Sequence, residues 1–210
     1  FPDEPIVFVP SDHFIGDKDR FLRTLRVGED IVKNEGKMVD IGIYPMFPST
    51  SLGYTHIGRE LENHDGIRVY EFLGHKEKPD FDTAKIYLAS ERYLWHGNYY
   101  MWTPRSFLDA FKRYDRPKYD ILQRIQEAFS EKNEARVLEE FQKFEKISFD
   151  YAITEKMDPH EVRILRGDFG WSDIGAWDVL YDRLISRTDE NKNDECLIND
   201  ECPNAQIATG

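Results

Sequence analysis

The sequence predicts an α/β protein with a mostly parallel sheet, and three observations support this. A continuous apolar run at residues 6–9 ends at Pro10, which is typical of a strand buried on both faces. Residues 38–44 form a second strand-like run that Pro45 closes. A helical pattern lies between the two runs. The order strand, helix, strand is the crossover unit of a parallel sheet.

The helix between these strands has recognisable ends. Asp17 or Asp19 can cap its first turn, because a carboxylate accepts from free backbone N–H groups there. Apolar residues then recur at helical spacing between Phe21 and Val32. Gly36 follows the last of them and predicts the end of the helix.

Pro, Ser, Thr and Gly cluster at residues 46–56 and predict a loop, which is a candidate ligand contact. Extended stretches follow around residues 56–57 and 67–73. Asp80 then caps a second helix. Thr103, with a proline after it, starts a third helix, and the aromatic segment between these two helices is left without an assignment.

The second half of the chain is mainly helical. Residues 118–146 carry Glu, Lys and Gln with apolar residues at spacing three and four, which favours solvated helices without chemistry. Ser148 caps a further helix, residues 162–165 are predicted as a strand, and residues 177–184 return to helix. The polar residues 189–210 are predicted to be a tail or the start of a truncated C-terminal element.

Composition excludes several classes of protein. The 210 residues hold 28 basic and 40 acidic side chains, a formal charge of −12, whereas a nucleic-acid or anionic-membrane surface needs a basic footprint. No apolar run approaches the roughly 18 to 20 residues of a membrane span, and no signal peptide is recognisable. A cytoplasmic protein is expected. Cys196 and Cys202 fit no zinc or disulfide spacing and are interpreted as incidental thiols.

Two aspartates are candidate metal ligands. Asp12 follows the first predicted strand, and open α/β sheets bind ligands beyond the carboxyl ends of such strands. Asp173 lies far along the chain in the segment 170–177. If the fold brings both carboxylates together, they supply the hard oxygen ligands that Mg²⁺ prefers, and substrate phosphates complete its coordination. This predicts phosphate chemistry.

Six short motifs occur in the order found in one enzyme family. They are Asp12-His13 after the apolar strand, Gly42-Ile43 with Pro48, Thr50, Gly53 and Tyr54, Glu77-Lys78-Pro79, Tyr93 with Trp95, Phe149-Asp150-Tyr151-Ala152 with Glu155-Lys156, and Gly170-Trp171-Ser172-Asp173-Ile174-Gly175 with Trp177. The series resembles the bacterial mannose-1-phosphate guanylyltransferases of the sugar nucleotidyltransferase superfamily, over nearly the whole chain.

The resemblance implies a three-layer α/β/α nucleotide-diphospho-sugar transferase (Rossmann-like) fold with a mixed, mostly parallel sheet. It assigns residues 1–188 to the sugar-phosphate and metal side of a catalytic domain. It also implies a reaction of mannose 1-phosphate with GTP that gives GDP-mannose and pyrophosphate. The attacking phosphate oxygen is already ionised, so catalysis reduces to alignment and charge neutralisation.

Residue roles follow from the same resemblance. Asp12 and Asp173 would bind Mg²⁺, Lys78 would offset the charge of the sugar phosphate, and Glu77 would accept hydrogen bonds from sugar hydroxyls. Gly53 would line the sugar pocket with its main chain, next to Tyr54, and His96 and Asn98 would contribute further substrate contacts. His13 is interpreted as a structural hydrogen-bonding residue, because this mechanism needs no proton shuttle.

Three departures from the family pattern matter. Residues 50–54 read Thr-Ser-Leu-Gly-Tyr where the family has Thr-Gly-Tyr-Gly-Tyr. Residues 95–100 read Trp-His-Gly-Asn-Tyr-Tyr against Trp-Asn-Ser-Gly-Met-Phe, so His96 replaces a sugar-contacting Asn. Asn98 could supply the lost amide, or the sugar preference has changed. Finally, the glycine-rich nucleotide loop has no counterpart.

Two explanations of the missing loop are open. The chain is either a fragment that starts partway into the fold, with little activity alone, or a relative without the nucleotide half of the site. We favour the fragment, since the opening strand would otherwise lack its sequential neighbours. Another sugar 1-phosphate or nucleotide, or a noncatalytic sugar-phosphate-binding module, are the alternative functions. A homodimer is left open.

Overall fold

A computed structural model describes residues 1–174 of the chain. The predicted helix at 177–184, the tail at 189–210 and both cysteines lie outside the described residues. The chain divides into two compact units, each described by itself. The first contains Phe1–Ser11 and Ile15–Trp171, and the second contains Asp12–Phe14 and the chain from Ser172 onward.

The described residues form eight strands and six α-helices. The strands are β1 Ile6–Val7, β2 His13–Ile15, β3 Met38–Ile43, β4 Tyr54–His64, β5 Ile67–Lys76, β6 Tyr93–Trp102, β7 Val162–Gly167 and β8 Trp171–Asp173. The helices are α1 Lys18–Glu35, α2 Phe81–Ser90, α3 Pro104–Tyr114, α4 Arg116–Ser130, α5 Glu134–Phe141 and α6 Phe149–Ala152. Within residues 1–174, no helix combines the length and the apolar character that crossing a membrane requires.

Six strands form one sheet in the order β1-β6-β3-β7-β5-β4, and β4 also pairs with β6. The predicted α/β fold with a mixed sheet is confirmed, but the expected excess of parallel pairs is wrong. Among the described pairs of this sheet, only β3 and β7 run parallel. One reason is local: Asp65 and Gly66, both at positive φ (51° and 86°), join β4 to β5 as a tight hairpin, which forces an antiparallel pair.

The first strand, β1, is shorter and more exposed than the sequence predicts. β1 is two residues long, and its residues Ile6 and Val7 are 39% and 37% exposed rather than buried on both faces. It pairs only with β6 and so lies at the edge of the sheet. β1 and β3 are both antiparallel to β6 and therefore parallel to each other, as the crossover predicts, but β6 lies between them.

The aromatic segment without a predicted element is the central strand β6. Eight of its ten residues are buried. Its register against β3 shifts between Asp40, which pairs with Tyr100, and Gly42, which pairs with His96. The shift leaves extra residues in β6, and one of them, Asn98, is exposed at a φ of 56°. We refer to residues 97–99 as the β6 bulge.

Alternation along β3 and β6 builds a core on each face of the sheet. Val39 and Trp95 belong to one core, together with side chains of α1 and α2. Leu94 and Trp102 belong to the other, together with side chains of α3, α4 and α6. The sheet therefore lies between two helical layers, as the predicted three-layer fold requires.

The predicted helix ends are confirmed. Asp17, Asp80, Thr103 and Ser148 each accept a hydrogen bond from the backbone N–H three residues later, at the starts of α1, α2, α3 and α6. Gly36 ends α1 in the left-handed conformation at φ 67°. These signals are local in sequence, which is why they could be recognised without a structure.

Candidate functional site

The two predicted metal ligands lie in the second unit, with His13. His13 begins β2 and Asp173 ends β8, and these two strands form a separate two-stranded sheet. Burial lowers the pKa of His13, while the nearby charges of Asp173 and Asp12 act in the opposite direction. Both carboxylates thus lie close enough to act on one imidazole. Their role as metal ligands stays a prediction.

Gly53, Glu77 and His96 meet in the first unit. The main-chain oxygen of Gly53 accepts a hydrogen bond from the backbone N–H of His96 at 2.9 Å. A β-carbon at position 53 would collide with Oε2 of Glu77 and would lie 3.5 Å from the β-carbon of His96. The absence of a side chain at Gly53 therefore allows the Glu77 carboxylate to approach the main chain just before β4.

Tyr54 has a structural partner inside the loop that precedes β4. Its ring is fully buried, and its hydroxyl accepts from the backbone N–H of Ser49 at 2.9 Å and donates to the Ser49 oxygen at 3.1 Å. The tyrosine therefore holds the loop against the sheet. Its predicted contact with substrate stays a prediction.

Lys78 is an exposed cation next to a carboxylate. Its side chain is 64% exposed, and its Nζ lies 3.8 Å from Oε1 of Glu77. The residue adopts a φ of 42° in the turn between β5 and α2. A lysine that is solvated and only loosely paired can approach a phosphate without a large desolvation cost. Asn98 is likewise exposed, on the β6 bulge.

The side chain of His96 points away from solvent. It is 5% exposed, with Nδ1 3.0 Å from Oδ2 of Asp40 and Nε2 3.3 Å from Oδ1 of Asp150. The Tyr100 hydroxyl lies 2.5 Å from Nε2 and also donates to Asp150. The structure therefore separates His96 into two parts: its main chain contacts Gly53, and its ring enters a buried polar cluster. The predicted substrate contact by this ring stays a prediction.

His75 completes what we call the buried cluster, formed by Asp40, His75, His96, Tyr100 and Asp150. The His75 and His96 rings meet edge to face, with centroids 4.4 Å apart. Nε2 of His75 lies 3.9 Å from Oδ2 of the fully buried Asp40.

Burial and charge set the ionisation of the cluster. Burial opposes a charged His96, but the Asp40 charge and hydrogen bonds to Asp150 and Asp40 outweigh it and raise the pKa of His96 to about 10. Burial and the charge of His96 lower the pKa of His75 to about 4. Burial also opposes ionisation of Asp150, yet the hydrogen bond and charge of His96 hold the pKa of that carboxyl well below its ordinary value.

Sequence reasoning missed Asp40, His75 and Tyr100 as members of a site. The available signal was Asp40, a charged residue inside the run Met38–Ile43 that is otherwise apolar or glycine. A carboxylate buried on a central strand requires a partner. The identity of that partner depends on strand pairing, which residue spacing did not reveal.

Comparisons with known proteins agree with this fold. The chain is 30% identical over 210 residues to a mannose-1-phosphate guanylyltransferase of Escherichia coli K12, covering 97% of this chain and 43% of that protein. It is 34% identical over 196 residues to the mannose-1-phosphate guanylyltransferase RfbM of Salmonella typhimurium LT2, covering 91% and 38%. The chain therefore spans about two fifths of the length of these curated relatives.

Solved structures give the same picture. The crystal structure of mannose-1-phosphate geranyltransferase from Thermus thermophilus superposes with a TM-score of 0.74 at 28% identity, over 87% of this chain and 50% of that one. A mannose-6-phosphate isomerase from Helicobacter pylori shares the fold, with a TM-score of 0.64 at 19% identity over 80% and 64%. The family model for nucleotidyl transferase matches residues 1–190. On this match the chain belongs to the nucleotidyl transferase family.

Proposed function

We propose that the protein acts in a nucleotidyltransferase that transfers GMP from GTP to mannose 1-phosphate, giving GDP-mannose and pyrophosphate. The observation that carries this proposal is the match to the family model along residues 1–190, together with relatives named mannose-1-phosphate guanylyltransferase. The charges of Asp12 and Asp173 both act on the His13 imidazole, which adds chemical support.

Asp12 and Asp173 fit a magnesium ion. Both offer hard carboxylate oxygens, and both lie near His13 in the same unit. These two residues would hold the ion, which when bound would supply positive charge to the phosphate oxygens. The imidazole of His13 has its pKa lowered by burial and serves in this proposal as a structural neighbour of the two carboxylates.

Glu77, Lys78 and Gly53 would bind and orient the sugar phosphate. Lys78 would approach the phosphate through solvent-exposed Nζ, and the Glu77 carboxylate beside it would accept hydrogen bonds from sugar hydroxyls. Gly53 would leave room for the Glu77 carboxylate and the sugar, since a side chain at position 53 would collide with Glu77. The phosphate oxygen is already an anion, so these residues need to align it rather than deprotonate it.

The test is pyrophosphate release by the complete gene product with Mg²⁺, GTP and mannose 1-phosphate. We expect Asp12→Asn and Asp173→Asn each to lower the rate by about a hundredfold or more, since each removes a charge from the proposed metal site. Asp120→Asn is the matched control, because within residues 1–174 the Asp120 carboxylate is paired with Arg116 at the surface. Unchanged rates in both variants would remove these aspartates from the site.

One observation favours a second candidate, a nucleotidyltransferase for a different sugar 1-phosphate. The ring of His96, where the family carries a sugar-contacting Asn, is buried against Asp40. The same assay with other hexose 1-phosphates and nucleoside triphosphates distinguishes the two candidates. Failure with every pair would instead support a noncatalytic sugar-phosphate-binding module.

A further inference from the structure

We propose that Asp40, His75 and His96 form a buried site for a zinc ion, with ligands different from those of the proposed magnesium site. The three side chains come from β3, β5 and β6 of the first unit. One ligand atom from each lies within 4.8 Å of the others. An ion held there would tie three strands of the sheet together.

The spacing of the ligand atoms suits zinc. Tetrahedral zinc with bonds of about 2.0–2.1 Å separates its ligands by roughly 3.3 Å. Oδ2 of Asp40 lies 3.0 Å from Nδ1 of His96 and 3.9 Å from Nε2 of His75. These two distances lie on either side of the ideal one, and the third, between the two imidazole nitrogens, is within 4.8 Å.

Two buried atoms in this cluster have no hydrogen-bond partner among the residues that the structure describes. They are Oδ1 of Asp40 and Nε2 of His75. Asp40 is fully buried and the side chain of His75 is 5% exposed, so solvent does not readily replace the missing partners. Coordination by an ion would satisfy Nε2 of His75, and with three protein ligands the fourth tetrahedral position would be left for a water or another ligand.

The outer nitrogens of both histidines are held by further polar groups. Nδ1 of His75 lies 3.1 Å from Oγ1 of Thr55. Nε2 of His96 lies 3.3 Å from Oδ1 of Asp150, beside the Tyr100 hydroxyl. Metal-bound histidines typically use the second ring nitrogen in this way, and the contact fixes which nitrogen faces the ion. Here both rings turn their remaining nitrogen toward Asp40.

Charge and ligand type select the metal. Asp40 and Asp150 bring two negative charges to a cluster that is mostly buried. Without an ion, His96, whose pKa is raised to about 10, offsets one of them, whereas a divalent cation bound to neutral imidazoles would offset both. Two imidazole nitrogens and one carboxylate favour zinc, whereas Mg²⁺ prefers oxygen ligands and retains several waters. The site is therefore expected to bind Zn²⁺ or Co²⁺ in the presence of excess Mg²⁺.

The test measures metal content of the purified 210-residue chain, expressed without a histidine tag. We expect one zinc per chain by inductively coupled plasma mass spectrometry, and the intense visible absorption of tetrahedral Co²⁺ after replacement. Absence of stoichiometric metal, both as purified and after refolding with Zn²⁺ or Co²⁺, would overturn the proposal.

Variants locate the ion. His75→Gln should abolish binding, and Thr55→Val should weaken it by about 10–100-fold by removing only the outer contact. Thr55→Val keeps the test decisive if His75→Gln fails to fold. His64→Gln is the matched control, because exposed His64 contacts Glu62 outside the cluster.

The two cysteines must also be tested, since thiolates are common zinc ligands. A chain with both Cys196→Ser and Cys202→Ser should keep its zinc, and loss of the metal would refute the assignment. His75→Gln with unchanged affinity would refute it as well. Asp12 and Asp173 are not ligands of this site, so either proposal can fail without the other.

Discussion

Two groups of polar residues in the first unit differ in what surrounds them. In the buried cluster, Asp40 is fully buried and its partners are two side chains of the same interior. The open edge, which we define as Lys78 with its neighbour Glu77 and the buried Gly53 beside them, is exposed at the lysine: Lys78 is 64% exposed and its Nζ lies 3.8 Å from Oε1 of Glu77. Charges in the interior therefore depend on nearby groups for neutralisation, while the exposed lysine stays available for a ligand.

The largest expected effect is on the buried cluster. In the metal-free protein, Asp40→Asn removes one of the two carboxylates beside His96, whose pKa is raised to about 10, and leaves the imidazolium with Asp150 alone in a low-dielectric interior. We expect the free energy of unfolding to fall by about 3–5 kcal/mol. Urea denaturation of the 210-residue chain measures it. A loss below about 1 kcal/mol would mean that Asp40 contributes less to stability than its buried contacts indicate.

At the open edge we expect a large loss of activity with little loss of stability. Lys78→Met should lower the rate of pyrophosphate release by the complete gene product by about 10²–10³-fold. This is the size of effect seen when one group that stabilises transition-state charge is removed. The free energy of unfolding should change by no more than about 0.5 kcal/mol, because the side chain is exposed. Lys85→Met, which removes an exposed lysine paired with Asp82, is the control. Equal activity of the two variants would place Lys78 outside the site.

Gly53→Ala tests how tightly the open edge is packed. The new methyl group meets the end of the Glu77 side chain, which can rotate away, so we expect a loss of about 1 kcal/mol, at the low end for overpacking. We also expect a higher KM for the sugar phosphate. In a Glu77→Ala background the same substitution should cost less, and a double-mutant cycle measures the difference. Additive effects would show that the two residues do not constrain each other.

The smallest effect is expected where a charge pair is exposed on one helix. Asp120→Asn breaks the ion pair of Arg116 and Asp120, four residues apart on α4, with side chains 63% and 45% exposed. The free energy of unfolding should fall by at most about 0.5 kcal/mol. Urea denaturation of Asp120→Asn and Asp40→Asn under the same conditions compares the two losses of unfolding free energy. A much larger loss for Asp40→Asn would show that burial, rather than charge alone, determines how much stability is lost.

Sequence reasoning predicted the helices best because their signals are local. Asp17, Asp80 and Thr103 each bond to a backbone group three residues away, so the cap and its partner occur in one short window. The family motifs also identified the open edge, because Glu77 and Lys78 are adjacent in sequence. Asp12 and Asp173 were paired as candidate Mg²⁺ ligands from the chemistry of their carboxylates and the strand-end position of Asp12, and the resemblance then assigned both the same role.

Strand partners could not be predicted in the same way. β6 pairs with β1, β3 and β4, which lie far from it in sequence, and nothing in the aromatic segment specifies them. The exposed edge position of β1 and the three antiparallel pairs that β6 makes with β1, β3 and β4 follow from that pairing. The buried cluster was missed for the same reason, since Asp40 meets His96 only when β3 lies beside β6.

The β6 bulge brings the side chains of His96 and Tyr100, two residues of the same strand, within bonding distance of each other. In an uninterrupted strand, residues four apart are separated by about 13 Å, too far for their side chains to bond directly. In the observed ladder, Asp40 and Gly42 are only two positions apart, yet they pair with Tyr100 and His96. The looped-out residues absorb the surplus length and push Asn98 outward, so the tyrosine hydroxyl meets the imidazole. An irregularity in the backbone thus creates a contact that regular pleating forbids.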